Sequence, residues 1–564
     1  MSKKPDQNRS AATAAAPAVR KSEPFSLKAA LAIVAVLNAL RLLSGLTFDL
    51  APQEAYYFFY SQHPALSYFD HPPLMAWSLW LMTSVLGAHP FVLRLTAFTL
   101  TAVTQFLFLV LARRFLPAAK VPGAFLLMCT TAMMSVLSLI SLPDVPLLLF
   151  WTLSLVCLER AVFQKDVKFW LLAGVAMGLA FDGKYTAAML QVGLGLFLVL
   201  SCAHRRWLKT PWPYLSILAA HVTMLPVYIW NAQNGFASFL FQSADRASTW
   251  SGLHPVNFLK LLGTQSALLL PALLLAVCWA FKKACASAVK RRRLPSAKPL
   301  FLLCFFAPLF LIFTGLSFVT LVKPNWLMPA WVTGVLLAAM LVDSRVVRAN
   351  LWLAAVLHAA VAVELIAYPI LLESDDTWFG WSQLAAEAKV LADARPDHFI
   401  FADDGYKTSA ELGFYMKRKT YSGNLLGKKG LQYDYIGDDL AALSGRDGLF
   451  FDSQPKDFTP RSWVGFSPPA KLSAHFDTVQ ELEPILIRNP LGRIARKFRV
   501  FDCRGFHYRP ARGEAAGSGL AAAGHTETLQ VPGLGRVIVS VPQEEADAQG
   551  QGQLPDAGGA GEGD

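Results

Sequence analysis

The stretch PLFLLCFFAPLFLIFTGLSFVT, residues 299–320, contains no charged side chain. An α-helix rises 1.5 Å per residue, so a helix of about 20 apolar residues crosses the hydrocarbon core of a bilayer. This stretch therefore predicts a transmembrane helix. Ten more apolar runs of spanning or nearly spanning length lie at 29–47, 90–112, 121–140, 145–163, 169–181, 185–203, 212–230, 257–281, 326–343 and 350–371. We expect an all-α polytopic membrane domain with about eleven transmembrane helices.

Composition supports a membrane protein and argues against several other classes. The chain has 564 residues, of which 54% are hydrophobic and 16% charged, and its mean hydropathy is +0.39. Its formal charge of +12 sits in short clusters between apolar runs, where basic residues orient helices, so nucleic acid is not expected as a partner. Most of the seven cysteines lie in apolar runs, which excludes a disulfide framework and a CxxC metal site.

The distribution of basic residues predicts the orientation. With the N-terminus in the cytoplasm, most clusters between the runs fall inside, including the one at 282–293. The opposite loops of the membrane domain then hold only Arg94, Lys184, Arg246 and Lys323. If 169–203 were one long helix, the cluster at 282–293 would lie outside, so we reject that alternative. Within the run 169–181, Gly174 and Gly178 predict a close helix contact.

Four regions are expected. Residues 1–28 predict a disordered cytoplasmic arm, followed by an uncleaved first span rather than a signal peptide. The membrane domain covers 29–371 and includes a first outer loop, 48–89. A small periplasmic α/β domain is expected over 372–511, and a disordered tail over 512–564.

Short patterns refine two of these regions. In the outer loop, LMAWSLWLMTSVL (74–86) is uncharged but too short to cross, which predicts an interfacial helix. In the polar domain, FIFADD (399–404) and GLFFDS (448–453) predict strands, and TSAELGFYMKRK between them predicts a helix.

The first outer loop carries an unusual set of polar residues. Its sequence FDLAPQEAYYFFYSQHPALSYFDHPP (48–73) contains Asp49, Glu54, His63, Asp70 and His71 among many aromatic residues. An interfacial aromatic belt with solvated acids is one interpretation. A substrate site is the other.

Further polar residues lie at outward helix ends. Asp144, in SLPDVP, is either a helix cap or part of a site. Lys184, Arg246 and Lys323 lie on the lysine-poor side, where each either anchors to lipid headgroups or holds an anionic ligand. The side chains predicted to bind substrate are Tyr56, Tyr57, Asp70, His71, Asn231 and Asn325.

Acids and cations together on one side suggest a transferase whose donor is a lipid phosphate. A carboxylate accepts the proton of an attacking hydroxyl or amine, and cations stabilise the departing phosphate. The sequence contains no zinc motif, P-loop or Ser/His triad.

Six segments resemble the GT-C superfamily of membrane glycosyltransferases, of the bacterial dolichyl-phosphate-mannose protein mannosyltransferase type that includes relatives of the lipid A aminoarabinose transferase. They are QEAYYFFYSQHPALSYFDHPP (53–73), LPDVPLLLFW (142–151), GLAFDGKYTA (178–187), PVYIWNAQNGFASFLFQ (226–242), KPNWLMPAW (323–331) and FADDGYKTSAELGFYM (401–416). The resemblance extends over residues 40–510, and its first segment is the most specific.

The resemblance implies transfer of a hexosyl or pentosyl unit from a polyprenyl-phosphate donor to an envelope lipid, glycan or protein at the periplasmic face of the inner membrane. In this family an acid of the first outer loop acts as base or orients the acceptor. A second acid comes from the next outer loop, where Asp144 matches and is predicted to be catalytic. Many members have Asp where this chain has Gln53, so the base is predicted to be Glu54. Lys184 is predicted to hold the donor phosphate, with Arg246 and Lys323 as further phosphate ligands. Members of the family differ in metal dependence, so the resemblance does not decide whether this protein requires a divalent metal.

Two other functions remain as alternatives. A transporter or flippase of a lipid-linked anion also needs buried charges, but no inverted repeat is evident and the acids cluster at one face. A catalytically silent binding subunit is the other, because Gln53 cannot act as a base. The sequence identifies neither the sugar nor the acceptor.

Overall fold

The computed structural model describes residues 25–245, 250, 252–372, 376–453, 469–509, 526–531 and 535–540. The chain forms two compact units, one up to His507 and one from Tyr508 onward. The first unit contains the membrane helices and the polar domain together.

The membrane part is helical, as predicted. In chain order its helices are α1 (Leu27–Ser44), α2 (Pro52–Gln62), α3 (Leu74–Leu86), α4 (Pro90–Phe115), α5 (Val121–Cys129), α6 (Ala132–Leu139), α7 (Asp144–Phe163), α8 (Lys168–Gly183), α9 (Ala188–Leu200), α10 (Trp212–Thr223), α11 (Leu225–Gln233), α12 (Ala237–Leu240), α13 (Pro255–Leu269), α14 (Pro271–Arg291), α15 (Ala297–Leu316), α16 (Met328–Leu341) and α17 (Ser344–Ala367).

The count of spans is lower than the eleven predicted. Within the described part of the chain, seven helices are long and apolar enough to cross a membrane, or nine if two bent pairs each count as one span. Those pairs bend by 57° between α5 and α6 and by 48° between α10 and α11. The other two runs form α8 and α9, of 16 and 13 residues. At 1.5 Å per residue both are shorter than the roughly 30 Å hydrocarbon core.

A buried arginine braces the first bent pair. Arg41 of α1 is 3% exposed and donates from Nη2 to the carbonyl oxygen of Cys129, the last residue of α5, at 2.7 Å. Its Nε donates to the Ser135 hydroxyl on α6 at 3.0 Å. A helix that breaks inside a membrane leaves backbone carbonyls without partners, and Arg41 satisfies one of them.

The predicted glycine contact is confirmed. A Cβ atom at Gly174 would lie 2.2 Å from the backbone oxygen of Ser216, and one at Gly178 would lie 2.4 Å from the Cβ of Thr223. Both neighbours belong to α10. Only glycine lets α8 and α10 approach this closely.

The segment predicted as an interfacial helix is α3. It ends at Gly87, whose φ of +83° favours glycine. On one side it exposes Trp80, Leu81 and Val85, of which Val85 is 74% exposed. An exposed apolar face on a short helix suits the membrane interface.

The polar domain has the predicted α/β fold. Its elements are α18 (Trp381–Asp393), β1 (Phe399–Phe401), α19 (Lys407–Met416), β2 (Thr420–Tyr421), β3 (Gly448–Asp452), α20 (Ala470–His475), β4 (Phe476–Glu481), β5 (Ile485–Arg488) and β6 (Ile494–Phe506). The sheet order is β2-β1-β3-β6-β4, with β5 also paired to β6. Strand β1 runs parallel to β2 and β3, whereas β6 runs antiparallel to β3, β4 and β5.

The polar domain packs on the first loop of the membrane domain. Tyr406, just before α19, stacks on Tyr56 of α2 with ring centroids 4.1 Å apart. The backbone N–H of Leu50 donates to the Tyr415 hydroxyl at 2.9 Å. We call the membrane side that carries this contact the domain side.

The second unit contains one antiparallel hairpin, β7 (Thr526–Val531) with β8 (Gly535–Ser540). It falls inside the tail that was predicted to be disordered, 512–564, so that prediction missed two strands. The rest of this tail, and most of the predicted arm at 1–28, lie outside the described residues.

Candidate functional site

A buried ion pair joins two neighbouring helix ends on the domain side. Asp144 is the first residue of α7, and Lys184 follows the last residue of α8. Lys184 Nζ lies 2.9 Å from both carboxylate oxygens of Asp144, and Asn325 donates from Nδ2 to Asp144 Oδ2 at 2.7 Å. The side chain of Asp144 makes no capping hydrogen bond to the backbone of α7, so the interpretation of Asp144 as a helix cap is wrong. Its negative charge at the helix N-terminus is nevertheless favourable.

A second acid, Asp70, lies among tyrosines of α2. Tyr56 donates to Asp70 Oδ1 at 3.2 Å, and Tyr60 donates to the same oxygen. Burial raises the pKa of Asp70, while these hydroxyls and the charge of Lys323 act in the opposite direction. The Asp70 carboxyl is therefore poised to hold a proton more readily than an ordinary aspartate.

Tyr57 lies on the same helix as the tyrosines that bind Asp70. Burial raises the pKa of Tyr57 well above its usual value, and the charges of Asp70, Tyr406 and Asp144 add to the shift. The ring of His71 packs edge-on at 5.8 Å from that of Tyr57. Gln242 donates from Nε2 to the backbone oxygen of Asp70 at 2.6 Å and so fixes this part of the loop.

Glu54, which was predicted to be the base, is surrounded by backbone N–H groups and the side chain of Arg94. It is fully buried, and its two oxygens accept from the backbone N–H groups of Ala51 at 3.1 Å and Ser141 at 3.2 Å. The guanidinium of Arg94 lies 3.8 Å from Glu54 Oε2. Burial raises the pKa of Glu54, and Arg94 opposes that shift. This carboxylate ties the first outer loop to the second.

Three other residues predicted for the site are Asn231, Lys323 and Arg246. Asn231 is fully buried; its amide nitrogen donates to the backbone oxygen of Val227 at 3.0 Å, and its amide oxygen accepts from the backbone N–H of Phe239 at 3.2 Å. Lys323 is exposed at the helix end that carries Asn325. Arg246 lies outside the described residues.

Sequence reasoning missed several contacts. Arg94 appeared only as an outer cation, yet it donates to the backbone oxygens of Gly45, Phe48 and Asp49 at 2.5, 2.8 and 2.6 Å. Tyr60 was not selected, although its spacing of four residues from Tyr56 puts both on one helix face. Gln53 donates to Asp376 of the polar domain at 3.2 Å, a contact with no local signal in the sequence.

Across the residues that the structure describes, no group of three or more His, Cys, Asp or Glu side chains is arranged to hold a metal ion. Polar and charged side chains thus converge at the domain-side ends of α7, α8 and the Pro324–Leu327 turn, beside α2.

Comparison with known proteins gives one family match. Residues 70–230 match the family described as dolichyl-phosphate-mannose-protein mannosyltransferase. The matched segment includes Asp70, Asp144 and Lys184.

Similar proteins extend the match along the chain. The lipid A galacturonosyltransferase RgtD of Rhizobium johnstonii is 24% identical over 404 residues, which cover 70% of this chain and 83% of the relative. The structure is similar to ArnT from Cupriavidus metallidurans bound to undecaprenyl phosphate, with a TM-score of 0.54 at 14% identity, covering 84% of this chain and 98% of ArnT. The apo state of ArnT gives the same values.

The similarity to ArnT shows the fold, and the family match covers the part of the chain that holds the polar cluster. Residues 70–230 are thus similar to the dolichyl-phosphate-mannose-protein mannosyltransferase family and the fold is similar to that of ArnT, in agreement with the resemblance to GT-C membrane glycosyltransferases stated from the sequence.

Proposed function

We propose that the protein transfers a hexosyl or pentosyl unit from a polyprenyl-phosphate donor to an envelope acceptor. The observation that carries this proposal is the cluster of Asp144, Lys184 and Asn325 beside Asp70, at the membrane side that also bears the polar domain. A lipid-phosphate donor needs cations at the level of the headgroups, and an acceptor hydroxyl needs a base there. RgtD is named for action on lipid A, and ArnT is described with undecaprenyl phosphate bound.

The donor phosphate is assigned to two lysines. Lys184 uses its ammonium on the two oxygens of Asp144, and an ammonium has three N–H donors, so one is left for a phosphate oxygen. Lys323 is exposed, and its charge reaches Asp70. Both cations would stabilise the phosphate that leaves. In this arrangement Asp144 orients Lys184 and Asn325.

We assign the base to Asp70 in place of Glu54. The oxygens of Glu54 already accept backbone hydrogen bonds in a fully buried position, whereas Asp70 is only partly buried and accepts from the hydroxyls of Tyr56 and Tyr60. Asp70 would take the proton of the acceptor hydroxyl. At the same time the oxygen of that hydroxyl would form a bond to the anomeric carbon of the sugar. The bond from that carbon to the phosphate oxygen breaks, and polyprenyl phosphate leaves. A single displacement of this kind inverts the anomeric configuration.

The setting is proposed as the bacterial inner membrane, with the N-terminus cytoplasmic and the polar domain periplasmic. The support is the asymmetry of basic residues described above. Alkaline phosphatase fused near residue 380 should be active, and the same fusion near residue 290 should be inactive. The reverse pattern would overturn this orientation.

The activity is tested with purified protein, a radiolabelled polyprenyl-phosphate sugar and lipid A as acceptor. We expect label to move to lipid A, and we expect Lys184→Ala to lower this transfer by at least 100-fold. The control Lys389→Ala changes an exposed lysine paired with Asp393 in the polar domain and should leave transfer unchanged. Donor that is moved across vesicle membranes without cleavage would instead favour the transporter alternative.

A further inference from the structure

The two faces of α2 look into different spaces. Tyr56, Tyr57 and Tyr60 surround Asp70, as described above. Ala55, Phe58, Phe59 and Gln62, which share the other face at helical spacing, line a cavity of about 560 Å³ between α2 and the polar domain. Nothing in the proposed catalytic step uses this cavity.

The cavity has an aromatic floor. Phe58 packs edge-on against Phe414 of α19 at 5.0 Å, and Phe59 stacks on Tyr433 at 4.1 Å. Phe58 and Phe59 are only partly buried, so both rings leave apolar surface open to the cavity. Such a surface binds hydrocarbon or the apolar face of a sugar.

Three consecutive cations line the cavity next to this floor: Lys417, Arg418 and Lys419. Arg418 donates to the backbone oxygens of Pro396 and His398 at 2.8 and 3.3 Å, so its charge is held in place without a carboxylate. Lys419 pairs with Asp438 at 2.6 Å. Lys417, which is exposed, has no ion pair within the described part of the chain. Three cations set against one acid leave a positive rim that suits a phosphate.

The cavity also adjoins the membrane surface. Ala88 lines it and lies directly between α3, with its exposed apolar face, and Pro90, where the spanning helix α4 begins. Phe59, on the cavity floor, also stacks on Tyr56 at 6.4 Å, and Tyr56 donates to Asp70. The cavity therefore lies at the membrane interface and one side chain away from the proposed base.

We propose that this cavity binds the acceptor, a phosphate-bearing lipid, with its phosphate on Lys417 and Lys419 and an apolar part on Phe58 and Phe59. This inference rests on the proposed function, because only a transferase has an acceptor. The donor phosphate is assigned to the opposite face of α2, so the two lipids would approach from different sides of this helix.

The test uses the full chain in detergent and measures binding of lipid A without any donor. We expect Lys417→Asn/Lys419→Gln to weaken lipid A binding by about 10-fold, and removal of the phosphates from lipid A to weaken wild-type binding by a similar factor. Asparagine suits position 417 because its φ is +52°. The control Lys389→Gln/Lys471→Gln removes two other exposed lysines of the same domain and should bind like wild type.

A second arm measures transfer. The double variant should raise KM for lipid A about 10-fold and leave kcat and donor KM unchanged. Unchanged lipid A affinity in the double variant would overturn the proposal. So would an equal loss of affinity for phosphatidylglycerol vesicles, which would make the cavity a general anionic lipid site. Absence of transfer by wild-type protein with binding as expected would count against the proposed function alone, since the binding arm needs no turnover.

Discussion

Two buried acid–base pairs lie close together on the domain side, and they are built differently. In the loop pair, Glu54 and Arg94, the acid accepts two backbone N–H groups and the base donates to three backbone carbonyls. In the site pair, Asp144 and Lys184, the contacts of the carboxylate are to side chains, namely Lys184 and Asn325.

The difference separates architecture from chemistry. Backbone groups cannot turn away without unfolding the loop, so the loop pair holds a conformation. Side-chain contacts can exchange for a ligand that offers the same charges, so the site pair can accept a phosphate. Four changes, from the largest expected effect to the smallest, test whether this division holds.

The largest effect is expected beside the site pair, at the proposed base. Asp70→Asn should lower kcat for transfer by roughly 100 to 10,000-fold, because an amide cannot accept the acceptor's proton. Membrane protein levels should not change. The control Asp49→Asn keeps an oxygen for the Ser382 N–H and should remain within about threefold of wild type.

The pH profile of the wild type adds a second check on Asp70. The base must be deprotonated to work, and burial raises its pKa. Transfer should therefore rise with pH through a midpoint above about 4, the ordinary value for aspartate. A profile without that limb, or an active Asp70→Asn variant, would return the role of base to another acid.

Breaking the site pair should separate activity from stability. Lys184→Ala leaves Asp144 buried with Asn325 alone, which should destabilise the fold by about 3 kcal/mol as well as abolish transfer. The double variant Asp144→Asn/Lys184→Met removes both charges and should recover most of the lost thermal midpoint while remaining inactive. If stability stayed low in the double variant, the pair would not be the cause of the first loss.

Breaking the loop pair should lower stability more than it lowers transfer. Glu54→Gln leaves Arg94 without its carboxylate and brings an amide N–H group into a site built from N–H donors, so stability should fall by about 1–3 kcal/mol. Transfer per folded molecule, measured after gel filtration, should stay within tenfold of wild type. A folded but inactive Glu54→Gln protein would restore Glu54 as the base and remove the distinction between the pairs.

The smallest effect concerns Glu411 of α19, a buried acid near the loop pair. Burial, and then the charges of Asp49 and Glu54, raise its pKa well above the usual value. The folded state then binds a proton that the unfolded state releases, so this group's contribution to stability is greatest at acid pH and declines as pH rises from about 4.3 toward the folded pKa.

Glu411→Gln should therefore flatten the decline of the thermal midpoint between pH 5 and pH 8. The control Glu387→Gln, at an exposed position of α18, should keep the wild-type slope. Equal slopes in all three proteins would show that Glu411 stays ionised in the folded state.

Much of the fold was accessible from the sequence because apolar runs are long and local. Each predicted run forms helix, but the breaks at Thr130, Met224 and Leu270 were not predicted, since hydropathy does not change across them. The longest strand, β6, was also missed. Its basic residues obscure the strand pattern, and they are accommodated only by tertiary contacts such as Arg496 over the Trp381 ring at 3.8 Å.

For the site, the type of each residue indicated whether it belonged there, but the sequence did not indicate which residues would be in contact. Asp144, Lys184 and Asn325 were all selected, and they are in contact. Nothing local in the sequence indicated that Glu54, the predicted base, would lie beside Arg94, forty residues later in the chain. The polar domain's residues at the cavity were not considered, since α19 reaches α2 only in the folded chain.

The brace on the bent pair also constrains how the protein is made. Arg41 lies in the last turn of α1, so before its partners are synthesised its side chain can extend to the nearby membrane surface. Its acceptors at Cys129 and Ser135 are about ninety residues later in the chain. The hydrogen bonds that satisfy Arg41 in the folded protein can therefore form only after α5 and α6 have been made and have packed against α1.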